Sequence, residues 1–218
     1  MSRKESRPTS NDTVSEEVGL TDPDDATVLV VDDEPRLLGL YVAMLEDRFT
    51  VETAESGAEA LEALSDDIDV VLLDRRMPAM SGDEVLDQIR EAEYDCHIGI
   101  VTAVEPDLDI LDMEFDSYLV KPVLQRDLRA LVDGLLARQR YSDALNELLS
   151  LSSRLVSLRQ KYSADELAAN ETYQELQERK ADLEATAQAE LETLADLDEL
   201  AVIYRDVVGE TIGGEDGE

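Results

Sequence analysis

Polar residues with chemical potential interrupt this sequence at four matching places. The apolar run Val28–Val31 leads into Asp32-Asp33-Glu34, Val70–Leu73 into Asp74, Ile98–Val101 into Thr102, and Tyr118–Val120 into Lys121-Pro122. Short continuous runs of this kind read as strands buried on both faces. In an open parallel sheet the C-terminal strand ends form the rim where ligands bind. That rim gathers carboxylates, a hydroxyl and one of only four lysines. Crowded carboxylates raise one another's pKa unless a cation neutralises them. Hard oxygen ligands in a shallow cleft suit Mg²⁺, which keeps several waters and favours phosphate partners. A carboxylate can attack phosphorus to give an aspartyl-phosphate. The cation, the ammonium and the hydroxyl would then stabilise the phosphoryl oxygens.

Such a rim needs a scaffold. Helical patterns lie near Pro35–Asp47, Gly57–Ser65, Asp83–Glu91, Pro106–Met113 and Leu124–Arg138, and a more polar strand at Thr50–Thr53. Five strand–helix repeats predict an α/β fold with a doubly wound five-stranded parallel sheet. The polar second strand suits an edge, as the order 2-1-3-4-5 would place it. Beyond Arg138 strand signals stop. Tyr141, Ala144, Leu148, Leu151, Leu155, Leu158 and Tyr162 follow steps of three and four, a heptad seam. Ser163-Ala164-Asp165-Glu166 has the form of a capping box that starts a new helix. On that helix Tyr173, Leu176, Leu183, Ala187, Leu194, Leu197, Ala201, Tyr204 and Val208 share one track, interrupted by Lys180 and Glu190. An α-helical hairpin or coiled-coil segment is predicted. The expected division is a polar tail over 1–26, the α/β unit over 27–138, the helical unit over 139–208 and a flexible end over 209–218.

Composition narrows the function. Of 218 residues 43% are hydrophobic, enough for a core, while acids outnumber bases 53 to 19 for a formal charge of -34. That balance argues against a nucleic-acid surface, which needs clustered Lys and Arg, and against anionic lipid. A single cysteine, Cys96, excludes an internal disulfide framework and a multi-Cys metal knuckle. The first 26 residues carry no apolar stretch of signal-peptide type, and no apolar run has the length of a membrane span. A soluble cytoplasmic chain is expected.

The stretch 27–138 resembles the receiver domain of two-component response regulators, the CheY-like fold. The matching motifs are Val28-Leu29-Val30-Val31-Asp32-Asp33-Glu34-Pro35, Leu73-Asp74-Arg75-Arg76-Met77-Pro78-Ala79-Met80-Ser81-Gly82, Val101-Thr102-Ala103 and Tyr118-Leu119-Val120-Lys121-Pro122. The resemblance implies that Asp74 is the phosphoacceptor, supplied by a histidine kinase. It implies that Asp32, Asp33, Asp74 and the Arg76 backbone carbonyl hold Mg²⁺, and that Thr102 and Lys121 bind the phosphoryl group. Tyr118 would be the aromatic that rotates inward on activation, and Lys121–Pro122 would be cis. The chain departs from the commoner pattern at Arg75-Arg76, where an Arg76 side chain at the mouth would stabilise the phosphoryl charge or obstruct water. It also lacks Gly-Ala in Asp112–Ser117, which leaves the end of the fourth helix open. The segment Tyr141–Leu200 resembles the HalX domain that follows receivers in haloarchaeal regulators. Lysine makes up only 4 of the 19 basic residues, and so many carboxylates repel at ordinary ionic strength. With a Debye length of roughly 3 Å at molar salt that repulsion fades, and the profile resembles proteins of salt-loaded cytoplasms. A plainly acidic interaction protein is the simpler alternative.

Other readings compete. A phosphatase with an aspartyl nucleophile usually wants a second acid two residues on, where this chain has Arg76. A phosphorylation-independent coiled-coil adaptor would tolerate loss of Asp74, Thr102 or Lys121, yet all are present. Residues 139–218 hold 19 acids against 7 bases and no basic recognition helix, so output through protein contacts is expected, with direct DNA binding as the alternative. A homodimer through the receiver or the helical segment is compatible with both. Cys96, His97, Met77 and Met80 read as structural residues.

Overall fold

The computed structural model describes residues 26–212, with side chains through residue 195. The polar segment 1–25 and residues 213–218, both expected as tails, lie outside the described residues. So do the side chains of Leu197, Ala201, Tyr204 and Val208 on the second seam. Five strands, β1 (Thr27–Val31), β2 (Thr50–Ala54), β3 (Val70–Leu73), β4 (His97–Thr102) and β5 (Ser117–Val120), form one parallel sheet in the order β2-β1-β3-β4-β5. This is the expected order, with the polar β2 at an edge. Helices α1 (Pro35–Leu45), α2 (Gly57–Ala63) and α3 (Gly82–Glu91) connect the first four strands.

Side chains alternate across each strand, so each face of the sheet needs its own cover. Val28, Val30, Val70, Leu72 and Val101 pack under Leu38, Tyr41 and Leu45 of α1 and Leu128, Val132 and Leu135 of α4 (Gln125–Lys161). Leu29, Val31, Val71, Leu73, Ile98 and Ile100 pack under Ala60 of α2 and Val85, Leu86 and Ile89 of α3. All four residues of β3 are buried, which makes it the centre of the domain. Helix starts are chemically marked. Ser56 accepts from the Glu59 N–H, and Ser81 forms a capping box with Glu84.

Three elements differ from expectation. The helix expected over Pro106–Met113 is only a 3-10 turn at Leu108–Asp112, with Leu108 and Leu111 each 77% exposed. Asp109 and Asp112 disfavour a longer helix, because Asp side chains compete for backbone donors in helix interiors, while Asp107 caps the turn by accepting from the Leu108 N–H. The helix expected to end near Arg138 does not end there. Its residues continue as α4 to Lys161, a rod about 55 Å long at 1.5 Å per residue. The helix expected from Ser163 is instead two pieces, α5 (Ala164–Ala168) and α6 (Glu171–Ile212). The Ser163 capping box does start α5, and the Asn170 side chain then accepts from the Tyr173 N–H to start α6.

The expected seam is present. Ala144, Leu151 and Leu155 of α4 are buried against Tyr173, Leu183 and Ala187 of α6, with Tyr141, Leu148, Leu158 and Leu176 alongside. Tyr162, expected on the seam, is 42% exposed because it ends α4 in an extended conformation. Glu190, which breaks the apolar track, is bound by the Arg140 guanidinium at 2.8 and 3.0 Å. The face that α4 buries turns by more than a third of a turn between Leu136, over the sheet, and Ala144, against α6.

A charged clasp holds the β4–β5 edge. Asp116 accepts from Arg90 Nη2 at 2.8 Å and from the Ile98 N–H at 2.7 Å, with His97 Nδ1 at 3.2 Å. Burial alone would raise the Asp116 pKa, but the bonds from His97, Ile98 and Arg90 pull it down to about 2. Beside it Cys96 is a core residue, its thiol pushed up to about 11 by burial despite Arg90. Cys96 and His97 are therefore structural, as expected. A depressed carboxylate stabilises the fold above its unfolded pKa of about 3.9, and loses that stabilisation as pH falls through its folded value. Asp116→Asn is expected to cost about 2 kcal/mol at neutral pH, a difference that shrinks between roughly pH 4 and pH 2 in urea titrations. A pH-independent difference would contradict this assignment.

Candidate functional site

The strand ends assemble the expected residues at one rim. β1 delivers Asp32 and Asp33, β3 delivers Asp74, β4 ends at Thr102, and Lys121 follows β5. Backbone bonds fix their register, since the Asp74 N–H donates to Val31 O at 3.0 Å and the Lys121 N–H to Thr102 O at 2.8 Å. Oxygens of Asp32, Asp33 and Asp74 lie within 4.8 Å of one another. Asp32 is 2% exposed and Asp74 7%, so solvent does little to screen their repulsion. One ammonium bridges the pair, with Lys121 Nζ 2.6 Å from Asp32 Oδ2 and 3.4 Å from Asp74 Oδ1. Burial would lower the Lys121 pKa, but the Asp32 hydrogen bond and the charges of Asp74 and Asp32 outweigh it and raise it. Three carboxylates against one ammonium leave an oxygen-rich, net negative cradle of the kind Mg²⁺ fits. The Lys121–Pro122 bond is cis, as expected.

The loop after Asp74 approaches the site closely. The Gly82 N–H donates to Arg75 O at 2.9 Å, and a Cβ on Gly82 would stand 2.1 Å from Asp74 O. Only glycine fits that approach. Ala79 takes a left-handed φ of 68°, which turns the loop back, while Met77 is buried below it. Arg76 is exposed in this loop. Thr102 is 1% exposed and its Oγ1 accepts from the Val104 N–H at 3.4 Å. Tyr118 stacks at a tilt on Phe115 and donates its hydroxyl to Val104 O at 2.7 Å. Thr102 and Tyr118 are thus both tied to Val104.

Two further residues adjoin the site: Tyr41, which was not singled out from the sequence, and Arg75, which was noted only as part of the pair Arg75-Arg76. Tyr41 of α1 is buried; burial raises its pKa, Lys121 opposes, and the charges of Asp32 and Asp74 add to the rise. Arg75 is 8% exposed and bidentate on Asp83 at 2.9 Å, with Nη2 also 2.8 Å from Asp109. The Asp83 bond raises the Arg75 pKa, burial opposes, and the Asp109 bond adds to the rise. One guanidinium therefore ties the 3-10 turn to the start of α3, directly beside Asp74. Its only sequence signal was the charged pair Arg75-Arg76, and the long reach to Asp109 had no local signature.

The family comparisons agree with this geometry. A family model described as the response regulator receiver domain matches residues 28–133, and one described as the HalX domain matches residues 137–204. The chain belongs to the response regulator receiver family, with a HalX domain after the receiver. It is 45% identical over 153 residues to a Haloferax volcanii protein provisionally named a transcriptional regulator, covering 70% of this chain and 26% of that protein. It is 32% identical over 128 residues to the response regulator SaeR of Staphylococcus epidermidis, covering 57% of this chain and 56% of SaeR. The chain thus spans well under two thirds of either relative. A crystal structure of a signal receiver domain from Vibrio parahaemolyticus superposes with a TM-score of 0.51 at 26% identity, covering 56% of this chain and 97% of that domain. Among the described residues no helix of the receiver or the HalX domain is long and apolar enough to cross a membrane.

Arg75→Ala should release the 3-10 turn while leaving the sheet intact. Amide exchange over residues 104–113 is expected to speed up by about tenfold, the factor for losing roughly 1.4 kcal/mol of local stability. Unchanged exchange there would show that Arg75 does not hold the turn.

Proposed function

We propose that this chain is a phosphorylation-gated signalling protein rather than an enzyme acting on a separate substrate. In this reading a carboxylate oxygen of Asp74 attacks phosphorus on a phosphohistidine of a kinase. The P–O bond forms as the P–N bond breaks, and the imidazole leaves with the electron pair. Asp32, Asp33, Asp74 and the Arg76 backbone carbonyl would hold Mg²⁺, which when bound offsets the negative charge of the incoming phosphoryl group. Lys121 gives up its contact with Asp74 Oδ1 to meet a phosphoryl oxygen, and Thr102 meets another. The observation that carries the reading is Lys121 bridging Asp32 and Asp74 inside a crowd of three carboxylates.

Switching follows from the same contacts. When Thr102 moves toward the phosphoryl group, the Val104 carbonyl that holds the Tyr118 hydroxyl moves with it, and Tyr118 rotates inward. The change passes to α4, whose first turns pack on the sheet and whose later turns pack on α6. We place the working division at 27–138 for the receiver and 139–208 for the HalX unit, so the boundary falls inside one helix. Output runs through protein contacts, given the net acidic charge of residues 139–218. Control of transcription is the second reading, favoured by the name of the Haloferax relative.

Incubation with Mg²⁺ and acetyl phosphate in molar KCl is expected to add one phosphoryl mass to the intact chain. Asp74→Ala is expected to add none. No adduct on the folded wild-type chain would overturn the phosphoacceptor role and favour a phosphorylation-independent adaptor.

A further inference from the structure

The bonds to Asp83 and Asp109 leave one nitrogen of the Arg75 guanidinium unused. Nε and Nη2 meet the two Asp83 oxygens at 2.9 Å, and Nη2 also meets Asp109 Oδ2 at 2.8 Å. Nη1 takes no part. Among the described residues it is the buried side-chain nitrogen with no hydrogen-bond partner in the protein. A buried donor without an acceptor is costly, the more so on a charged group. The backbone cannot retreat to relieve it. The Gly82 N–H holds Arg75 O at 2.9 Å, and a Cβ on Gly82 would stand 2.8 Å from Arg75 Cα.

A neighbouring group able to accept is the Tyr118 hydroxyl. The Asp83 bond raises the Arg75 pKa most, burial opposes it, the Asp109 bond adds to the rise, and the Tyr118 hydroxyl adds further. The hydroxyl therefore lies near the guanidinium. In this structure, however, it donates to Val104 O at 2.7 Å and takes nothing from Nη1. A phenolic oxygen keeps acceptor capacity after it has donated its proton. On the other side of the guanidinium, Asp109 belongs to a 3-10 turn with no buried residue, so polar bonds rather than apolar packing hold that turn. Arg75 thus stands between Tyr118 and the turn, one residue from Asp74.

We propose that Arg75 is a positioning residue for the switch: when Tyr118 turns inward, its hydroxyl oxygen accepts a hydrogen bond from Arg75 Nη1, which holds the inward state and ties the 3-10 turn to it. Tyr118 keeps its donated bond to the moving Val104 carbonyl, so one hydroxyl serves both partners. The buried donor is satisfied only in the inward state, and its cost in the resting state biases the equilibrium between the two. Because the same guanidinium holds Asp109, the bond reaches Leu108–Asp112 directly. The trigger rests on phosphorylation of Asp74 as proposed above; the pairing of Arg75 with Tyr118 is additional to it.

Amide exchange of the full chain over residues 104–113 tests it, in molar KCl with Mg²⁺ alone and with Mg²⁺ and excess acetyl phosphate. Intact mass follows the adduct on each variant. Tyr118→Phe removes the hydroxyl and keeps the ring; Arg75→Lys keeps the charge and removes Nη1. Each is expected to speed exchange about tenfold more in the phosphorylated chain than without donor, or roughly 1.4 kcal/mol. The phosphorylated double variant is expected to fall short of the product of the two effects by that same factor, while without donor the effects multiply. If Arg75→Lys does not fold or takes no phosphoryl group, Arg75→Met replaces it in the same comparison. Equal effects in both states, as a purely structural Arg75 would give, would overturn the proposal. So would effects that multiply in the phosphorylated chain, as a water on Nη1 would give. Either result with an adduct present would leave the phosphoacceptor reading intact, whereas a wild type without adduct would overturn both.

Discussion

Three carboxylates held within 4.8 Å of one another against one lysine ammonium set the terms for the rest of the receiver. Left in bulk water, such groups would separate. Here β1 and β3 are hydrogen-bonded neighbours, and each strand end has nowhere else to point. The fully buried β3 anchors Asp74 from below, and the close approach of Gly82 to the Asp74 carbonyl anchors it from the side. The packing of the sheet thus sustains a local repulsion that Lys121 only partly offsets. In the proposed reading, this concentration of negative charge at the rim is what a divalent cation and a phosphoryl group would exploit together, since each improves the site for the other.

The second constraint is the length of α4. One helix belongs both to the sheet's cover and to the hairpin seam, and its buried face shifts between Leu136 and Ala144. No loop separates the two units where such a motion could dissipate. Arg75 adds a second line of contact, from the residue after Asp74 to the exposed 3-10 turn. Segments with few buried apolar contacts, such as Leu108–Asp112, are the ones a small change at the rim can reorder.

The sheet, its order and the rim residues were legible in the sequence because each rests on a local signal. Apolar runs end at Asp32, Asp74, Thr102 and Lys121, and a polar β2 belongs at an edge. Helix boundaries were less legible. The spacing of Leu108, Ile110 and Leu111 suggested a helix, but Asp109 and Asp112 disfavour one and the two leucines lie in solvent. The end placed near Arg138 failed for the opposite reason. Receiver and seam follow different faces of one helix, so the periodicity breaks where the backbone does not. The reach of Arg75 to Asp109, 34 residues away, and of Arg140 to Glu190 depends on tertiary placement that no short window contains.

The most direct test of the whole account is hydrogen exchange along the chain, with and without Mg²⁺ and acetyl phosphate in molar KCl. The account predicts altered protection at the rim loops, at residues 104–113, and along α4 past residue 138 into the seam with α6. Changes confined to the loops around Asp32, Asp74 and Lys121, with α4 and α6 unmoved, would contradict it.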